Sequence, residues 1–114
     1  MRAVNYNNAT VQRTKVDTNS TNQFQIAAAV AGNRVVLLEM ILVAAGAVTI
    51  TLQSNNTALT GAMTMATGVP FQLNAAEYGA IQSATGEALN FTLGGGVQVS
   101  GVISWVYSDP TVDL

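Results

Sequence analysis

The chain has no cysteine and no histidine. Without cysteine there is no disulfide framework, no thiolate metal site and no thiol chemistry. Without histidine, the commonest general base and the commonest metal ligand are both missing. Charge is scarce as well: charged residues make up 9% of the chain, against about 25% in an average soluble protein. Lys+Arg number only 4, too few to line the basic stripe that nucleic-acid binding requires. Long apolar runs are absent too. The longest, Val35 to Ala45, is broken by Glu39 and falls far short of the roughly 20 residues of a membrane-spanning helix. No apolar segment follows Arg2 at the N-terminus, so the start does not read as a secretory signal. Neither nucleic acid nor a membrane is expected as a partner.

What remains is 114 residues of ordinary hydrophobicity, 49%, in which Thr, Asn, Gln, Ser and Gly stand where charge would be. That is one domain with one core. Hydrophobicity at this level with a net charge of −2 argues against disorder. Three segments are expected: an N-terminal arm over 1–22, a β-domain over 23–108 and a short tail over 109–114. The arm is rich in Asn, Thr and Gln and holds Arg2, Arg13 and Lys15 against Asp17 alone, whereas the rest has Arg34 against five acids. A cationic arm on an acidic body suits contact with another chain.

From Gln23 onward the period is two. Phe24, Ile26, Ala28 and Val30 alternate with Gln23 and Gln25, and Val48, Ile50 and Leu52 alternate with Thr49, Thr51 and Gln53, each a strand with one wet face. Between them Val35 to Val43 is apolar on both alternating faces, and its β-branched content favours a strand over a helix. With the Ala45-Gly46 turn this predicts a hairpin over Val35–Gln53. Ala88 to Leu93 is a further strand, and glycines 94–96 read as a hairpin turn into a last strand from Val97 to Tyr107. There Val97, Val99, Ile103, Trp105 and Tyr107 share a face with Gly101. Asn74 to Tyr78 is the one place for a helical turn. The sum is an all-β fold, a small antiparallel β-sandwich or jelly roll of about seven or eight strands with an extended N-terminal arm.

Catalytic signatures are missing. No Gly-x-Ser-x-Gly elbow occurs, and the glycine run 94–96 has no following Lys to make a phosphate loop. Nothing in the spacing pairs the six carboxylates, Asp17, Glu39, Glu77, Glu87, Asp109 and Asp113. Asp109 and Asp113 flank Pro110 and read as tail charges rather than as a calcium site. No enzyme, no cofactor and no metal is expected. Trp105, Tyr107 and Tyr78 offer a platform for sugar rings, but the apolar company of Trp105 on its strand favours burial.

Glu39 is the informative residue. A sandwich needs one apolar face per strand, so the face made by Val35, Leu37, Ile41 and Val43, with Glu39 in its middle, is left over. An exposed apolar face marks an interface. It is expected to pack on another copy of the chain, with Glu39 paired to Arg34, Arg13 or Lys15, and the alternative is cover by the chain's own arm.

The stretch Ala28 to Tyr107 resembles a group of small tailed-bacteriophage virion proteins, on Arg34–Leu52, Thr57–Gly68 and Gly86–Tyr107. The resemblance is to capsid decoration, or cement, proteins. It implies a small β-sandwich or jelly roll on the outer surface of the phage head, made in the host cytoplasm, with the major capsid protein as partner and a homotrimer as the expected assembly, a dimer being the alternative. Arg2, Arg13 and Lys15 would then be capsid-contacting residues of the arm. The alternative function is a receptor- or carbohydrate-binding module of a phage head or tail fibre.

Overall fold

The computed structural model describes residues 10–75 and 80–108. These residues form nine strands and no helix: β1 (Gln12–Thr18), β2 (Phe24–Ala27), β3 (Arg34–Ala44), β4 (Val48–Ser54), β5 (Thr57–Ala58), β6 (Met63–Met65), β7 (Phe71–Asn74), β8 (Leu89–Leu93) and β9 (Val99–Ser108). Sheet A has the order β1-β9-β3-β7, and sheet B the order β2-β8-β4-β5 with β6 also on β4. The expected helical turn lies outside the described residues over most of its length, and so does the C-terminal tail.

The pairing has a simple logic when followed from the ends of the chain inward. β1 lies on β9, β2 on β8, β3 on β7 and β4 on β6, all antiparallel. That is one long hairpin whose successive rungs go to alternate sheets. The pairings of β9 with β3 and β8 with β4 close the roll. This is the strand order of a jelly roll, and it bears out the expected all-β sandwich. The two-residue β5 takes the strand count past the expected seven or eight.

Two expected hairpins are corrected by this order. β3 and β4 lie in different sheets, so Val35–Gln53 is a crossing between layers. The glycines 94–96 likewise carry the chain from β8 in sheet B to β9 in sheet A. The crossings sit at one end of the sandwich, where Ala45 N–H donates to Gln98 O and Gly94 N–H to Thr49 O, both at 2.9 Å. Their inward residues explain the choice. Leu42 and Ala44 before the first crossing, and Val48 and Ile50 after it, are all buried in the same core. A turn within one sheet and a turn between sheets leave the same alternation behind them.

β1 is a second difference. Gln12–Thr18, expected within the extended arm, is the edge strand of sheet A, paired along its whole length from Gln12 opposite Trp105 to Thr18 opposite Val99. Val16 anchors it in the core at 1% exposure. Thr14 ties it across the layers, its hydroxyl donating to Ile26 O at 2.7 Å and accepting from the Trp105 indole N–H at 2.9 Å.

The core is continuous between the sheets, with Leu37, Met40, Leu42, Ile50, Leu52, Leu89, Phe91 and Ile103 among its fully buried members. Phe24 stacks on Phe91 with centroids 4.7 Å apart. Gly101 sits where β9 passes between β1 and β3, opposite Val16 and Leu42. A Cβ there would overlap the Ile41 carbonyl oxygen, and its φ of 156° is one that L residues rarely adopt. Gly101→Ala should therefore lower stability by about 2–4 kcal/mol, read as a fall in the urea midpoint with little change in slope. Thr14→Val leaves the Trp105 indole N–H without its acceptor and should lower stability by about 1–2 kcal/mol in the same measurement.

Candidate functional site

Strand alternation sends Arg13, Lys15 and Asp17 of β1 to the outer side of sheet A, because Thr14 and Val16 point in. Register then places them in rows with β9, β3 and β7. Arg13 lies beside Ser104, which lies beside Glu39 and then Asn74. Lys15 lies beside Val102, then Ile41, then Gln72. Asp17 lies beside Ser100 and then Val43. Ile41, Val43 and Val102 are 37–38% exposed and form the apolar middle of this face.

The five residues of the expected interface do not share one face. Ile41 and Val43 are on the outer face, and Glu39 is on it, half-buried. Val35 and Leu37 are not: they are core residues at 1% and 0% exposure. The cause is a β-bulge. Leu37 is opposite Trp105 and Glu39 is opposite Ser104, so Leu38 is an extra residue in β3. Before the bulge Val35 and Leu37 face inward; after it Met40, Leu42 and Ala44 do. No single face runs from Val35 to Val43.

The cations are also redistributed. Arg13 and Lys15 are exposed on a paired strand rather than on a free arm, and Arg2 lies outside the described residues. Arg34 points toward the segment before β8, its Nη1 donating to Gln82 Oε1 at 3.3 Å and its Nε to Thr85 Oγ1 at 3.4 Å. Asp17 accepts from Gln98 Nε2 at 2.6 Å. Among the described residues, Arg13, Lys15 and Glu39 make no ion pair.

Two of the three aromatics of the expected platform, Trp105 and Tyr107, are engaged within the fold. Trp105 is 8% exposed and packs edge-on to Tyr107 at 4.9 Å, and the Tyr107 hydroxyl donates to Ala28 O. Tyr78 lies outside the described residues, as do Asp109 and Asp113. Among the described residues no three potential metal-binding side chains cluster. Ser54 donates to Glu87 and receives the Ala84 N–H, which makes it a structural hydroxyl.

One cluster has no counterpart in the expectations. On the sheet B side, Gln23, Gln25, Asn55, Asn56, Ala88 and Asn90 line a polar cleft of about 350 Å³. Its amides bond to nearby backbone and to one another. Gln23 Nε2 donates to Gln53 Oε1 at 3.0 Å and to Asn55 O, Asn90 Nδ2 donates to Asn55 O at 3.1 Å, and Asn55 Oδ1 accepts from Ala88 N–H at 3.0 Å. The network holds the β4–β5 turn, where Asn55 takes φ 49°, against β8. The partners are 30 to 35 residues apart in the chain, and only the closed roll brings them together.

Comparison with family models, curated proteins and solved structures finds no match for this chain.

The bulge separates two positions that simple alternation places on one face. Leu37→Lys buries an unpaired charge and should abolish folding, seen as loss of the β-type circular dichroism signal and a red-shifted Trp105 emission. Val43→Lys should fold, with stability within about 0.5 kcal/mol of the parent at micromolar concentration.

Proposed function

We infer that this chain is a structural protein of a tailed-bacteriophage virion, a decoration or cement protein that self-associates and bridges major capsid subunits on the outside of the head. The observation that carries this reading is the outer face of sheet A. It gathers two features suited to contact, the cations Arg13 and Lys15 and the apolar trio Ile41, Val43 and Val102, onto one rigid surface. Two-sheet jelly rolls recur in viral capsid and lectin domains, which adds support at the level of fold analogy. The resemblance of Ala28 to Tyr107 to phage decoration proteins points the same way.

The physical requirements agree. A cement protein has to resist strain without changing shape, and a sandwich closed by long strands does so. Its individual contacts are allowed to be weak, because many copies on a shell add their contacts by avidity. β1, at the edge of sheet A, also presents the kind of backbone edge to which an extended segment of a neighbouring chain adds as a strand.

The carbohydrate-binding alternative has less behind it. Trp105 and Tyr107 are engaged in packing and hydrogen bonds, and the amides Gln23, Asn55 and Asn90 of the sheet B cleft are bonded mostly to nearby backbone.

The purified chain should co-sediment with assembled, expanded phage heads that lack their decoration and should not bind free coat subunits. Absence of shell binding at tens of micromolar protein would overturn the reading.

A further inference from the structure

The charges on the outer face of sheet A have a spacing that one kind of partner satisfies. Arg13 and Glu39 flank Ser104 from opposite sides, in the same row, one on β1 and one on β3. Two strand spacings separate them, about 10 Å, and β9 lies between. Neither has an ion-pair partner among the described residues. Lys15 and Ile41 flank Val102 in the next row in the same way.

A second copy stacked face to face, about a two-fold axis running along β9, exchanges the flanks. β1 of one copy then overlies β3 of the other. Arg13 meets the second copy's Glu39, and the reverse contact forms by symmetry, giving two ion pairs. Val102 meets its own equivalent on the axis. Lys15 lies over Ile41, where its methylene stem covers apolar surface and its ammonium group reaches the rim. Face-to-face sheets pack about 10 Å apart, a gap that an arginine and a glutamate side chain together bridge.

The overlap is small. With the axis on β9, β7 lies beyond the second copy's β1, so three strands overlap, over the seven residues of β1. At about 3.3 Å per residue and about 4.8 Å between strands, that is about 300–350 Å² per copy. Val36 and Val106, which alternate outward on the same face, are already 0% exposed, so the contact stops short of them. The total, about 700 Å², is that of a weak contact, which its charge pairs have to orient. A patch that complements itself makes an isologous contact, which closes as a dimer; a three-fold ring needs two different patches.

We propose that the outer face of sheet A is a self-recognition surface, joining two copies as a two-fold dimer through reciprocal Arg13–Glu39 pairs around Val102 and Ile41. The proposal rests on the self-associating part of the decoration-protein reading and specifies its symmetry and contacts.

The test is a charge exchange read by native mass spectrometry and sedimentation velocity at 1–100 µM order of concentration. Each variant is first checked for folding by Trp105 emission and a cooperative melt. The parent should be a dimer. Arg13→Glu and Glu39→Arg should each be folded monomers, with dimerisation weakened at least tenfold, because like charges then face each other twice. The double variant, Arg13→Glu with Glu39→Arg, should recover the dimer. If Glu39→Arg fails to fold, Glu39→Gln with Arg13→Gln replaces it, and the weakening should then be near-equal in the two single variants and not additive in the pair. A parent that stays monomeric or forms a trimer overturns the proposal, as do single variants that remain dimeric, or a folded double variant that stays monomeric. Shell co-sedimentation keeps the two readings apart. A monomer that binds shells sinks the dimer and leaves the decoration role standing. A dimer that ignores shells does the reverse.

Discussion

Sheet A depends on the pairing of its two longest strands, β3 and β9, which runs from Arg34 opposite Ser108 to Ala44 opposite Val99 with one shift of register between Leu37 and Glu39. That pairing has to solve a problem set by Glu39. Val35 and Leu37 face the core. Strict alternation would send Glu39 in after them, and an unpaired carboxylate in the core costs several kcal/mol. The extra residue at the bulge changes the phase by one. Glu39 turns outward beside Ser104, and Met40, Leu42 and Ala44 take up the core positions that follow. The bulge is thus what makes an eleven-residue apolar strand with a charge near its middle compatible with a dry interior. Gly101 does a related job on β9, letting that strand pass close to the Ile41 backbone just beyond the bulge.

The roll follows from the same pairing. With β3 and β9 central, the segment ahead of β2 finds its place on the free side of β9, and Gln12–Thr18 becomes an edge strand. Its Thr14 hydroxyl then joins the layers by taking the Trp105 N–H and donating to Ile26 O. The Tyr107 hydroxyl makes a second link at Ala28 O. Both links cap carbonyls of or beside β2, the edge strand of sheet B, and so blunt an edge that would otherwise be open to other chains.

Much of this was legible in the residues. The period-two segments gave the strands around Phe24, Val48, Leu89 and Val99, the apolar company of Trp105 gave its burial, and the lack of helical period gave the class. The topology was not legible. An alternating strand, a glycine turn and another alternating strand look the same whether the turn lies in one sheet or crosses between two, which is why Val35–Gln53 reads as a hairpin and is not one. The bulge was hidden for a different reason: with apolar residues on both alternating faces, β3 carries no signal at the point where its phase slips, and Glu39 is the only mark left. The polarity of Gln12–Thr18 concealed a strand because only Val16 in it reaches the core. The amide cluster was out of reach altogether, since Gln23, Asn55 and Asn90 meet only after the sheet is closed.

The two outer faces of the sandwich differ in how much bonding capacity they leave unused. No strand of sheet B contains a charged residue; its outward side chains are Thr, Gln and Asn, and at the cleft they bond largely to one another and to nearby backbone. Water competes well for whatever remains, so that face has little to gain from a partner. Every charge on the described strands is in sheet A. On its outer face Arg13, Lys15 and Glu39 stand without ion-pair partners among the described residues, around three half-open apolar side chains. Covering those side chains removes apolar area from water, and bringing opposite charges together as it happens turns a non-directional contact into one with a register. On the decoration-protein reading, this asymmetry favours sheet A over sheet B as the associating side.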